Sequence, residues 1–474
     1  MDKELFPILK RMAAFDEDRV VLHDMVSGRK YTGSEFAALV YAMAADLREN
    51  IREEILVCED NCAELVLLYF AGMLAGKIII PLDPEKEDGE IDRIRRLHQE
   101  AVFWERGELR RLFAQINAAV AAPNFSWQQM DGDKTFLITY TSGSTGIPKG
   151  VHHTVRNLLI AAYAFGTTMA YDGDTVLGHC MPMTYMAGIL NTIILPYIMG
   201  GTIVLLPRFS VKNALSFWGQ VKLAGINTLW LAPTMLRILH LLDKRAEMKE
   251  YFHQNAMKIS VGTAPLDKKL RDDFEGKYGI RLYQSYGLSE TLFISTEVPE
   301  EMVSRHTVGR LLPGVEIACE TDGEILIHVP WMFLGYTNAD TAAYMEAGWY
   351  VSGDLGEMTA EGNLLITGRK KELIVKGGYN INPRDIENVL MEKRVGECAV
   401  FALHKGGEEL IACAYACERE ISLLEINREI ERALGKHHKV DVLERMTAIP
   451  KNLNGKIDKL ATMKWVEEKY DSKV

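Results

Sequence analysis

The run Thr141-Ser142-Gly143-Ser144-Thr145-Gly146-Ile147-Pro148-Lys149-Gly150 gathers hydroxyl side chains, glycines and a lysine in one short loop. Backbone N–H groups and hydroxyls on such a loop can surround a polyphosphate, and glycine lets the chain approach closely. The spacing is not that of the common nucleotide loop, Gly, four residues, then Gly-Lys-Ser/Thr, because Pro148 stands where the second glycine would fall. Further on come a Gly/Pro turn over 260–266, Gly353-Asp354, the cation run Arg369-Lys370-Lys371 and the pair Gly377-Gly378. Taken singly, the first three read as a strand-to-helix turn, an ordinary turn and a solvated loop.

The elements around them alternate. Residues 136–140 predict a strand feeding the loop, and 155–165 an apolar helix after it. Residues 34–50 place apolar side chains at helical spacing. Residues 54–58 read as a strand, 65–75 as a buried helix and 77–82 as a buried strand ended by proline. The alternation repeats through strands at 202–206, 228–232, 258–261 and 281–285 and a helix at 214–223, which predicts α/β layers with parallel strands. From Gly309 short strands with turns, at 314–319, 323–328 and 363–367, predict a β-rich subdomain. After Arg369, helices at 385–392 and 423–434 and strands at 399–403 and 411–417 predict a compact α+β unit.

Bulk properties narrow the function. The chain has 474 residues, more than one typical domain. Its net charge of −11 argues against non-specific nucleic-acid binding. Seven cysteines lack Cys-x-x-Cys spacing and read as reduced thiols. The N-terminus shows no apolar signal region, and the apolar stretches at 65–75 and 189–199 are too short or interrupted to span a bilayer. The expectation is a cytoplasmic enzyme without a transmembrane segment.

The loop meets every fixed position of Tyr-Thr-Ser-Gly-Ser/Thr-Thr-Gly-x-Pro-Lys-Gly, and so resembles the phosphate loop of the adenylate-forming superfamily, the AMP-dependent acyl-CoA synthetases and ligases. The resemblance runs from about residue 30 to about 460 and implies roles for further residues. Thr141, Ser142, Gly143, Ser144, Thr145, Gly146 and Lys149 would hold the phosphates. Thr263, Ala264 and Pro265 would border adenine. In Gln284-Ser285-Tyr286-Gly287-Leu288-Ser289-Glu290, Ser285 would join the nucleotide site, Tyr286 would stack on adenine, Ser289 would bind the α-phosphate and Glu290 would help hold Mg²⁺. Asp354 and Arg369 would bind the ribose. Lys371 would be the hinge, Gly377 and Gly378 would line the thiol tunnel, and Lys456, in a Pro-Lys…Gly-Lys signature, would be catalytic. The implied fold is a large N-terminal AMP-binding domain over 1–370, with parallel-sheet α/β layers and a β-rich subdomain, and a small mobile α+β domain over 371–474.

The implied reaction has two halves. A carboxylate attacks the α-phosphorus of ATP, giving an acyl-adenylate and pyrophosphate. A thiol, from CoA or the phosphopantetheine of a carrier protein, then displaces AMP. Two anions meet in the first half, so Lys456, Mg²⁺ and the loop around Lys149 would neutralise charge. The acid pocket would involve Tyr185, Gly188, Gly262, Gly287 and Leu288. Residues 180–188 carry no acidic partner for a substrate ammonium, so a fatty or aryl acid is favoured, with the Met-rich run as apolar lining. The alternatives are an amino-acid or specialised-metabolite adenylating enzyme serving a carrier protein and, more remotely, a non-catalytic nucleotide-binding regulator. A luciferase-type oxidative branch is disfavoured because Val375 stands where that branch has a lysine. Between Pro84 and Thr141 the chain reads as abbreviated, lacking a strand–helix element.

Overall fold

The computed structural model describes residues 5–13, 18–116, 127, 130–141, 148–243, 248–299, 307–376, 378–393, 395–405, 408–417, 419–451 and 457–471. Ser142, Gly143, Ser144, Thr145, Gly146, Gly377 and Lys456 lie outside these residues.

Two parallel-centred sheets form the bulk of the first 370 residues. One has nine strands, and its centre runs Leu282–Leu288, Lys258–Val261, Thr228–Leu231, Val176–His179, Thr202–Leu205 and Val20–Asp24, each parallel to the next. The other has six strands in the order Gly335–Tyr336, Lys149–Thr154, Thr135–Thr141, Ile78–Leu82, Glu54–Cys58 and Val102–Trp104. Strands buried on both faces need apolar residues at successive positions. Ile79 and Ile80 meet that need on opposite faces, and both are fully buried. The helix Gly33–Asn50 begins with a reciprocal cap in which the Thr32 hydroxyl accepts from the Glu35 N–H and the Glu35 carboxylate accepts from the Thr32 N–H.

An all-antiparallel sheet follows, built from Glu316–Cys319, Glu324–His328, Trp349–Met358, Met345–Glu346 and Leu364–Arg369. Beyond it a 3₁₀ turn, Lys370–Glu372, leads into a two-stranded and a three-stranded sheet with the helices Pro383–Glu392, Leu423–Leu434 and Lys459–Asp471. Two apolar cores lie wholly within Ile374–Tyr470, one around Ile386, Cys413 and Ile430 and one around Phe401, Ala412 and Val466. The α/β class expected from sequence is the fold observed.

Two details go beyond the sequence reading. Among its described residues, the segment between Pro84 and Thr141 holds a helix at Asp88–Leu97, the edge strand Val102–Trp104 and a second helix at Glu108–Phe113. The last two are three and six residues long, too short to leave a periodic pattern. The phosphate-loop motif is also not all loop. Thr141 ends one strand and Lys149 begins the next, paired across an antiparallel hairpin.

Candidate active site

The site assembles where the six-stranded sheet, the nine-stranded sheet and the antiparallel sheet meet. Lys149 opens the strand Lys149–Thr154, and its ammonium contacts the Tyr344 hydroxyl and lies 3.9 Å from that ring's centroid. Tyr336 is a second aromatic neighbour, at 5.2 Å. Asn338 bridges the backbone on both sides of Lys149: its Nδ2 donates to the Pro148 carbonyl at 2.8 Å, and its Oδ1 accepts from the Gly150 N–H at 3.2 Å.

Glu290 sits in a turn pinned through three successive carbonyls. His153 Nε2 donates to the Ser289 carbonyl at 2.6 Å, the Phe333 N–H to that of Glu290 at 3.0 Å, and Trp331 Nε1 to that of Thr291 at 2.8 Å. Burial pushes the His153 pKa down to about 4, so the ring is neutral. Leu292, which ends the turn, takes φ +53°. The Glu290 carboxylate accepts from the Tyr336 hydroxyl at 2.7 Å. Burial and this carboxylate both raise the Tyr336 pKa, so the phenol stays a donor.

The ribose candidates also meet. Asp354 is 2% exposed. Its Oδ1 pairs with Arg369 Nε at 2.8 Å, and its Oδ2 accepts from the Tyr286 hydroxyl at 2.6 Å. Asp354 and Arg369 face each other across adjacent strands. Lys370, next in sequence, turns away to Asp322 and Glu324 at 2.7 and 2.6 Å. Lys371 is exposed in the 3₁₀ turn. Gly378 adopts φ +81° with open space where a side chain would project.

The remaining candidates divide. Ser285 is buried and bonds the Thr296 hydroxyl at 2.9 Å. Thr263 takes φ +71° beside Ala264 and Pro265. A Cβ on Gly188 would lie 1.9 Å from the Pro182 carbonyl, and one on Gly287 2.1 Å from that of Leu292, so both glycines are required by close backbone packing. The Met-rich run is core rather than lining: Met181, Met183 and Met186 are buried in the main clusters, while Tyr185 is half-buried. Asn61 pins this run, donating to the Met181 carbonyl at 2.7 Å and accepting from the Met183 N–H at 2.9 Å. Leu288 ends its strand, half-buried.

Tyr336, Asn338, Tyr344 and His153 went unread in the sequence. Each acts on a partner more than 40 residues away, and Asn338 and Tyr344 act across 188 and 195 residues. Only the shared segment Gly335–Tyr344, which places three of the four, ties them together.

A family model described as AMP-binding enzyme matches residues 9–337. The chain belongs to that family. Medium-chain fatty-acid–CoA ligase of Escherichia coli (strain K12) is 26% identical over 458 residues, covering 85% of this chain and 79% of that one. 2-Succinylbenzoate–CoA ligase of Bacillus mycoides (strain KBAB4) is 28% identical over 371 residues, 75% of each chain. The crystal structure of ATP-bound MatB from Rhodopseudomonas palustris superposes with a TM-score of 0.85 over 98% of this chain and 99% of that one, at 21% identity, and so shares the fold. This AMP-binding enzyme is an ATP-dependent, AMP-forming acid–thiol ligase at the level the family shares. No helix among the described residues is long and apolar enough to cross a membrane.

Proposed function

We propose that this AMP-binding enzyme activates a fatty or aryl carboxylic acid as its acyl-adenylate and transfers the acyl group to CoA. The observation that carries the reading is the convergence of Asp354, Arg369 and Tyr286 in one bonded cluster, within reach of the Glu290–Tyr336 pair that borders Lys149. A carboxylate and a guanidinium together suit the two ribose hydroxyls, and the Tyr286 ring offers a face to adenine. The phosphates would then lie toward Lys149, whose ammonium supplies positive charge for the developing anion.

Glu290 fits a Mg²⁺ ligand: it offers one carboxylate, and hard divalent cations at nucleotide sites are held by one or two carboxylates plus phosphate oxygens. Among the described residues, no cluster of three or more His, Cys, Asp or Glu side chains would hold a metal on protein ligands alone, which accords with a shared, nucleotide-dependent site. When bound, the ion would neutralise phosphate charge.

The small unit from residue 371 onward is proposed to turn about Lys371, presenting Lys456 for adenylation and the Gly377-Gly378 loop for thiol entry. CoA is favoured over a carrier-protein arm because the curated relatives reported above are CoA ligases. The test is ATP–pyrophosphate exchange across a panel of carboxylic acids, followed by thioester formation with CoA and with a phosphopantetheinylated carrier protein. Exchange with acids lacking an α-amine, and thioester with CoA, is the expected result. Consistently faster exchange with amino acids would favour the carrier-serving alternative, and no exchange with any acid would leave only a regulator.

A further inference from the structure

Two buried polar groups without partners flank one glycine at the carboxyl end of the parallel strands. Trp230 is the penultimate residue of Thr228–Leu231 and is 3% exposed. Its ring packs against Phe165 and Phe293, at centroid distances of 5.3 and 5.7 Å, and its Nε1–H has no hydrogen-bond acceptor. The neighbouring parallel strand, Lys258–Val261, pairs Ser260 with Trp230 and then turns at Gly262. A Cβ on Gly262 would lie 3.0 Å from the indole Cζ2 and 3.3 Å from Nε1, so the nitrogen edge of the ring faces this turn. One residue on, Thr263 holds φ +71°, which a β-branched residue rarely adopts, and its buried hydroxyl has no partner either. Buried donors left unmet are rare and destabilising, and strained backbone gathers at ligand sites.

Open α/β sheets bind ligands beyond the carboxyl ends of their parallel strands, and Gly262 is a residue that the family resemblance implies for the acid pocket. We infer that Trp230 Nε1–H, with the Thr263 hydroxyl as a second donor, receives an oxygen of the acid other than its reacting carboxylate. The preferred substrate therefore carries a ketone, ether or hydroxyl oxygen on its chain or ring. Both donors are neutral, and the groups described around the Trp230 ring, Phe165, Phe293 and Gly262, carry no charge. A neutral acceptor therefore suits these donors better than a second buried carboxylate, which needs a cation to meet it. The inference rests on the acid-activating reading above and names the substrate class of that site.

The test uses pyrophosphate exchange by the full-length enzyme. Each unsubstituted fatty or aryl acid is compared with analogues bearing a keto or hydroxyl oxygen at successive positions. Sites built to hydrogen-bond a substrate oxygen discriminate strongly against analogues lacking it. At least one analogue should exceed its parent by about tenfold or more in kcat/KM, the loss expected for one buried hydrogen bond. Trp230→Phe keeps the ring and removes the N–H. It should erase that preference, bringing the analogue-to-parent ratio of kcat/KM to about one, while leaving the KM for ATP in place. Parents that match or exceed every analogue in the wild-type enzyme would overturn the inference, as would a variant that slows parent and analogue equally. The wild-type series decides by itself if the variant does not fold. Exchange with parent acids but no oxygen preference defeats this inference alone, whereas no exchange with any acid defeats the acid-activating reading as well.

Discussion

Asn338 holds the backbone on either side of Lys149, donating to the Pro148 carbonyl and accepting from the Gly150 N–H. One amide thus fixes where the strand begins and where the lysine side chain starts its reach. Asn338→Ala removes both bonds, and Asn338→Asp keeps the acceptor but loses the donor to Pro148. At about 1 kcal/mol per bond, the alanine variant should lose roughly thirtyfold in kcat/KM for ATP, with the aspartate variant between it and wild type. Pyrophosphate exchange at varied ATP measures this. Equal, wild-type-like kinetics in both variants would show that the loop is held from elsewhere.

Asp354 binds Arg369 through one oxygen and Tyr286 through the other. If it also receives the ribose hydroxyls, Asp354→Asn keeps the shape and discards the charge. Hydrogen bonds to charged groups are worth about 1.5–3 kcal/mol, so the KM for ATP should rise at least tenfold. A sharper readout is the penalty for 2′-deoxy- and 3′-deoxy-ATP. Wild type should discriminate against both, and the variant should lose most of that discrimination. A variant that still discriminates as wild type does would move the ribose off Asp354.

Lys456 carries a prediction about division of labour. On the proposed two-step reading its charge would be needed only while acid and ATP combine. Lys456→Ala should therefore slow adenylate formation by about 10²–10³-fold, a cost of roughly 3–4 kcal/mol, similar to losing one oxyanion-hole donor. Thioester formation from pre-made acyl-adenylate should survive. Rapid-quench measurement of the two half-reactions separates them, and equal loss in both would remove Lys456 from its assigned role.

What was legible in the sequence was what is local in it. The strand Thr135–Thr141, the helix Leu423–Leu434 and the Asp354 and Glu290 motifs are each specified by neighbours a few residues away. What was not legible depends on distant pairing. Nothing near Gly335-Tyr336-Thr337-Asn338 announces that this segment adds an edge strand beside Lys149–Thr154 and presents a phenol to Glu290. The Met-rich run misled for a related reason. Apolar residues suit a pocket wall and a core equally, and only tertiary packing decides. The π-helix Ala187–Ile194, buried at every position, likewise lacks the amphipathic stripe that would reveal its period.

His179 makes stability depend on pH. It is fully buried, with Nδ1 2.7 Å from the Thr192 hydroxyl and Nε2 3.1 Å from the Asn61 amide. Thr192 donates to the Gly188 carbonyl, so its oxygen accepts from Nδ1–H and the ring is held neutral. Burial pushes its pKa down from 6.5 to about 3. The unfolded chain therefore binds a proton that the folded chain refuses across that interval, and the slope of stability with pH is positive there. The stability involved is fully present above pH 6.5 and falls as the pH drops toward the folded value. His153, pushed down to about 4, acts in the same direction. Each ring contributes up to about 1.4 kcal/mol per pH unit below its unfolded pKa. Denaturant titrations from pH 7.5 to 5.5, above the range of ordinary carboxylates, should show wild type losing stability steadily below pH 6.5. His179→Gln removes one titrating ring and should show a shallower loss over the same interval, although it starts from a lower plateau at pH 7.5. If the variant's stability fell with pH as steeply as that of wild type, His179 would have to take up its proton in the folded state as readily as in the unfolded one.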